Sequence, residues 1–266
     1  MKNRFIKIIK SKYFSIFIGI LLLILVWEII SLSSSSIVFP EFFKTLSNTF
    51  NLITNKDVMC SLGLSILRIV ITLLISLILG YLLGSISGFI PKIGEVMKPI
   101  IYLLTCFPTA CMIYILIIYT KVTCYVLVGV LTFPLIYKAC YIGSSSIVNK
   151  YYQTITLSGR YKLNNFTKII LPLNLPYLGL GLLQTSGLAL KGEIMGEVFM
   201  GDTTYKGIGI LIRKAATVDY NIDNLFSLTL LAIITMSLLD LIVHIIKSRV
   251  LSKYNLEDIK LYQYTF

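Results

Sequence analysis

The chain has 266 residues, 56% of them hydrophobic and only 14% charged, with 24 Lys and Arg against 12 Asp and Glu for a formal charge of +12. A mean hydropathy of +0.86 excludes a soluble globular domain, because so few charges cannot cover that much apolar surface. The basic residues fall at the ends and in alternate loops rather than in one patch, which sets aside nucleic acid as a partner and makes the charge a topology signal.

A membrane span needs about 20 mostly apolar residues to cross roughly 30 Å of hydrocarbon. Residues 1–13 carry Lys2, Arg4, Lys7, Lys10 and Lys12 and read as a basic cytoplasmic N-terminus. The first apolar run, 14–32, resembles a signal peptide in its basic start and in the small residues Ser33–Ser36. Its length, the Trp27-Glu28 pair near its outer end and the lack of an Ala-x-Ala pattern favour a retained first helix. The second span, 62–90, contains Gly80, Gly84 and Gly88 on one helical face. Small residues let helices approach closely in lipid, so this ladder is expected to be a packing seam rather than a substrate path. The third and fourth spans, 100–119 and 124–142, are interrupted by Pro108 and Pro134, candidate bends. The fifth and sixth spans are 177–200 and 225–246, and the second and fifth are long enough to tilt or extend beyond the bilayer.

Lys150, Arg160, Lys162 and Lys168 lie between the fourth and fifth spans, and Lys247, Arg249, Lys253 and Lys260 follow the sixth. The positive-inside rule puts both termini and the 150–171 loop in the cytoplasm. The expectation is an all-α integral membrane protein with about six transmembrane helices, N-in and C-in. Residues 14–266 form a single transmembrane domain in this reading.

The 150–171 loop turns polar while keeping a helical apolar rhythm at Ile155, Leu157, Leu163 and Phe166. Gly159 is placed to end one short helix, and Pro172 and Pro176 are expected to reset the chain direction on re-entry to the membrane. The expected product is a surface helix fastened to two spans, so a partner that moves it moves them.

Gln153-Thr154-Ile155, Gly159, nine further residues, then Ile169-Ile170-Leu171-Pro172 resemble the signature cytoplasmic loop of bacterial ABC importer permeases. That loop usually opens with Glu-Ala-Ala, so Gln153 in place of Glu removes a charge. Arg160 and Leu163 fall inside the same segment. Trp27-Glu28, Ser65-Ile66-Leu67-Arg68, Pro172 with Pro176, Lys191-Gly192-Glu193-Ile194-Met195-Gly196-Glu197 and Gly207-Ile208-Gly209 are similar to permeases of the nitrate/sulfonate/taurine type, whose relatives also carry thiamine precursors. Tyr119-Thr120 departs from the usual Phe-Gly at the end of the third span. The resemblance implies a type I ABC importer permease fold in a bacterial cytoplasmic membrane. It further implies a second permease copy, expected as a homodimer, ABC ATPase subunits on the 150–171 loop and an extracellular solute-binding protein.

Arg68, Lys138, Lys191, Glu193, Glu197 and Asp240 fall within the expected spans, where a central charge costs about 2.5–3.5 kcal/mol on insertion scales. Glu193 and Glu197, one helical turn apart, share a face. Arg68 is expected to pair with Glu197 or Glu193, with a pathway-lining role as the alternative. A rival function is an ion-coupled secondary transporter that uses Glu193, Glu197 and Lys191 as a relay. An enzyme is not expected. Gly187 and Gly192 have P-loop spacing, but Glu193-Ile194 follow where Lys-Ser/Thr are needed. Five cysteines without C-x-x-C spacing and the single His244 make neither a metal site nor a cofactor site. Gly207 to Ala216 reads as an outer turn and short helix.

Overall fold

The computed structural model describes residues 12–34, 38–120, 122–159, 161–200 and 206–251. They fold into helices α1 (Lys12–Ser33), α2 (Phe42–Ile53), α3 (Lys56–Phe89), α4 (Pro91–Cys106), α5 (Thr109–Tyr119), α6 (Thr123–Lys150), α7 (Tyr152–Leu157), α8 (Leu163–Asn165), α9 (Leu171–Met200), α10 (Ile208–Thr217) and α11 (Ile222–Leu251), with a π-helical turn, Phe166–Ile170, joining α8 to α9. No strand occurs among the described residues. Among the described residues, five helical runs are long and apolar enough to cross a membrane, or six if α4 and α5 count as one broken span. The chain separates into two compact units. One comprises the described residues of Met1–Met59 and Leu211–Ile233, the other those of Cys60–Ile210 and Ile234–Phe266.

In the first unit α1 is held to the chain that follows it by aromatic packing. Trp27 stacks at a tilt on Phe39 and edge-on against Phe42 and Phe226, with ring centroids 5.2, 5.8 and 5.7 Å apart. Its indole N–H donates to the Pro40 carbonyl at 3.0 Å, which places the polar end of an otherwise apolar ring. Helix α2 is amphipathic and too short to span. It buries Thr45 and Thr49, and Thr49 Oγ1 donates to the Ser227 carbonyl at 3.2 Å.

The second unit is organised by α6 and α9, which pack along one another. The Gly80, Gly84 and Gly88 face of α3 lies directly on α6. A side chain at Gly84 or Gly88 would sit 2.6 Å from the Tyr137 or Tyr141 carbonyl, respectively, and one at Gly80 2.7 Å from Ile136 Cγ2. The contact is backbone to backbone, the geometry that only small residues permit. Ile69, Val128, Ala189 and Leu190 form a buried cluster between α3, α6 and α9.

One expectation is sharpened and two change. The third span is two helices meeting at 97°, because Phe107 and Pro108 are both extended. A residue before proline avoids the α region, so the helix stops there. Pro134 does not interrupt its span, since α6 runs through it. Pro172 and Pro176 do not redirect the chain either. They lie in a helical run from Leu163 to Met200, and the π turn immediately ahead of Pro172 absorbs the disturbance. There the Leu171 N–H bonds back to the Phe166 carbonyl, five residues earlier. Proline has no N–H to give and its ring crowds the carbonyl four residues back, which a widened turn relieves.

Candidate functional site

Two constellations stand out, one at a helix–turn–helix loop and one inside the helical layer. In the loop, α7 ends at Ser158 and the chain reverses at Gly159, whose φ of +99° is open to glycine and strained for other residues. Ile155 is only 1% exposed and packs in a cluster with Phe89 at the end of α3, Ile147 in α6 and Ile170 in the π turn. Burying such a side chain contributes about 1.5–3 kcal/mol. Phe166 and Ile169 cover the same cluster, and the Phe89 ring packs against Tyr161 and Phe166 at 6.0 and 5.7 Å. One apolar peg therefore fastens α7 to three other elements.

The opposite face is bare. Gln153 and Thr154 are exposed, and Leu157 and Leu163 leave 90% and 75% of their surface uncovered. Arg160 lies outside the described residues. Leu171 and Pro172 belong to the helical run that follows, where the Tyr81 hydroxyl donates to the Leu171 carbonyl at 2.5 Å.

The second constellation joins α3, α9 and the start of α10. Glu193 and Glu197 are one turn apart on α9 and fully buried. Arg68 Nη1 donates to Glu193 Oε1 at 3.3 Å and to Glu197 Oε1, and its Nη2 donates to the Lys206 carbonyl. Ser65 Oγ donates to Glu197 Oε1 at 2.6 Å and accepts the Ile208 N–H at 3.0 Å, while the Gly209 N–H reaches Glu197 Oε2 at 2.7 Å. Ile208 and Gly209 are the first residues of α10, so Glu197 and Ser65 together supply acceptors for its N-terminal N–H groups, which no carbonyl of that helix can satisfy. A side chain at Gly209 would meet Glu197 Cβ at 2.7 Å and the Ile194 carbonyl at 2.8 Å.

The two acids are not equivalent. Glu197 accepts from three donors on both oxygens, whereas Glu193 Oε2 has no hydrogen-bond partner. Lys191 is exposed on another face of α9, so no Lys191–Glu193–Glu197 relay is assembled. Lys138 is also exposed, with Nζ 3.2 Å from Thr105 Oγ1, and Asp240 accepts from Ser186 Oγ at 2.8 Å. No group of His, Cys, Asp or Glu able to hold a metal occurs among the described residues.

Ser65 and Asn165 were not singled out from sequence as functional residues. Ser65 stands three residues before Arg68, on the same helical face, a signal that could have found it. The Gly207-Ile208-Gly209 turn leads into a short helix, as expected, and the Gly209 N–H also closes on Glu197. Asn165 has no sequence signal.

No curated protein matches the chain. A family model described as binding-protein-dependent transport system inner membrane component matches residues 76–254, about two thirds of the chain. The matched stretch takes in the glycine seam, the α7 loop and both buried acids. Its description makes the chain a multi-pass membrane transport subunit served by a solute-binding protein and an ATPase. The chain belongs to the family of inner membrane components of binding-protein-dependent transport systems, the permease subunits of ABC importers.

Proposed function

We propose that this permease imports a small anionic solute of the nitrate or sulfonate class, driven by ATPase subunits that dock on the α7 loop. The observation that carries the reading is the two-faced α7. Ile155 is locked into the helical core while Leu157 and Leu163 stand bare a few residues away. An exposed apolar surface rigidly tied to spanning helices suits a partner that pushes. The distribution of charges along the chain supports N-in, C-in topology, with the loop cytoplasmic and the binding protein on the far side. Two copies of the chain, expected as a homodimer, would enclose the path.

The anionic class rests on the intramembrane charges. Both acids of α9 are buried and engaged with Arg68, whereas Lys138 and Lys191 are exposed within spanning helices. A lysine within a spanning helix is costly against lipid, so a watery path is the fitting surroundings. Such a path presents positive charge and favours anions over the thiamine-precursor-like cations.

The test is ATP-driven uptake in proteoliposomes holding the permease with its ATPase and binding protein, using nitrate, an alkyl sulfonate and thiamine as probes. Uptake of an anion that requires all three components supports the reading. Uptake by the permease alone down an ion gradient would overturn it in favour of secondary transport.

A further inference from the structure

We propose that Asn165 is the positioning residue that transmits displacement of α7 into α9, an inference that rests on reading α7 as the ATPase-docking helix. Asn165 is buried, 6% exposed, whereas Leu157 is 90% exposed. Its Nδ2 donates to the Gly159 carbonyl at 2.8 Å and to the Ile155 carbonyl at 3.3 Å, and its Oδ1 accepts from Ser158 Oγ at 3.0 Å. The two carbonyls set the orientation of the amide, because only the NH2 group can donate to both.

These bonds join the end of α7 to the residue that enters the π turn. Beyond that turn the path continues through directional bonds. Tyr81 of α3 holds the Leu171 carbonyl, and Asn174 Nδ2 donates to Ser85 Oγ at 2.7 Å and to the Cys140 carbonyl at 2.9 Å. The beginning of α9 is thereby tied to α3 and α6.

Another attachment of α7 is the Ile155 peg, and apolar contact has no preferred direction. A peg alone lets α7 slide or swivel in its socket while staying docked. Hydrogen bonds to fixed carbonyls resist that motion, because they weaken steeply once distance and angle depart from ideal. The division of labour follows: Leu157 and its neighbours receive the partner, Ile155 retains the helix, and Asn165 conveys its direction of movement.

The experiment uses the permease assembled with its ATPase in nanodiscs, comparing wild type, Asn165→Ala and Asn165→Asp. Aspartate keeps the size and the acceptor for Ser158 but removes both donors. Two quantities are read: the amount of ATPase that co-purifies, and the stimulation of ATP hydrolysis by added binding protein. Both variants should retain the ATPase to within about twofold and lose roughly thirtyfold of the stimulation, the scale expected for two hydrogen bonds of about 1 kcal/mol each. Undiminished stimulation in Asn165→Asp overturns the inference. So does a parallel fall of docking and stimulation, which marks a residue that only maintains the fold. A wild type that recruits no ATPase fails differently, because it removes the docking role of α7 itself.

Discussion

Arg68 on α3 and Glu197 on α9 form an ion pair with side chains 7% and 0% exposed, and the same carboxylate holds the first N–H groups of α10 through Gly209 and, by way of Ser65, Ile208. Removing one partner strands the other charge, a loss of about 3–5 kcal/mol for a buried pair. Arg68→Ala and Glu197→Ala should each lower the thermal unfolding temperature of the purified permease strongly. Glu193→Gln should be much milder, since Glu193 accepts a single bond at 3.3 Å. Exchanging the residues, Arg68→Glu with Glu197→Arg, should not restore stability. An arginine at 197 cannot accept the Gly209 N–H or the Ser65 hydroxyl. Recovery in the exchanged variant would reduce the cluster to simple charge pairing.

The glycine seam gives a graded test. Gly88→Val drives a side chain against the Tyr141 carbonyl and Ser144 Cβ, both 2.6 Å from the added Cβ, and backbone cannot yield as a side-chain tip can. Folded yield in detergent should collapse. Gly187→Ala is the control, because nothing lies within 4 Å of its added Cβ. Alanine there should be neutral or stabilising by up to about 1 kcal/mol, the helix preference of alanine over glycine.

Gly159→Ala should act locally. Its φ of +99° costs an L-residue about 1–2 kcal/mol, but the turn lies outside the spanning helices. Thermal stability of the spans should be little changed, while titration with the purified ATPase should show severalfold weaker binding. An unchanged affinity would mean that the turn geometry does not shape the docking surface.

If Lys191 lines an anion path, Lys191→Gln should reduce uptake of nitrate or an alkyl sulfonate in the reconstituted importer about tenfold and Lys191→Arg should not. Because the residue is exposed, neither change should lower the unfolding temperature. Equal uptake by all three would remove Lys191 from the path.

Much of this arrangement was legible in the order of residues, and the limits have physical causes. Apolar runs of span length identify themselves, so the membrane layer was readable. Gly80, Gly84 and Gly88 announced a close helix contact, although not that α6 was the partner. Pro108 marked a break without its angle, since 97° depends on what the two short helices pack against. Pro134, Pro172 and Pro176 misled because neighbouring structure absorbs a proline that would end an isolated helix. Helix α2 was missed, being short, amphipathic and not a span. Arg68 and the two glutamates pointed to one another because charge in lipid demands a partner. The backbone groups that complete the cluster, the Lys206 carbonyl and the Ile208 and Gly209 N–H, carry no residue-type signal at all.

The most direct measurement is co-purification of the ATPase with tagged permease, for wild type and for Leu157→Glu. Leu157 is 90% exposed, so the charge should leave the permease folded while spoiling the surface that α7 presents. Wild type should retain the ATPase and Leu157→Glu should lose most of it, with unchanged thermal stability. Full retention of the ATPase by the folded variant would contradict the assignment of α7 as the docking element.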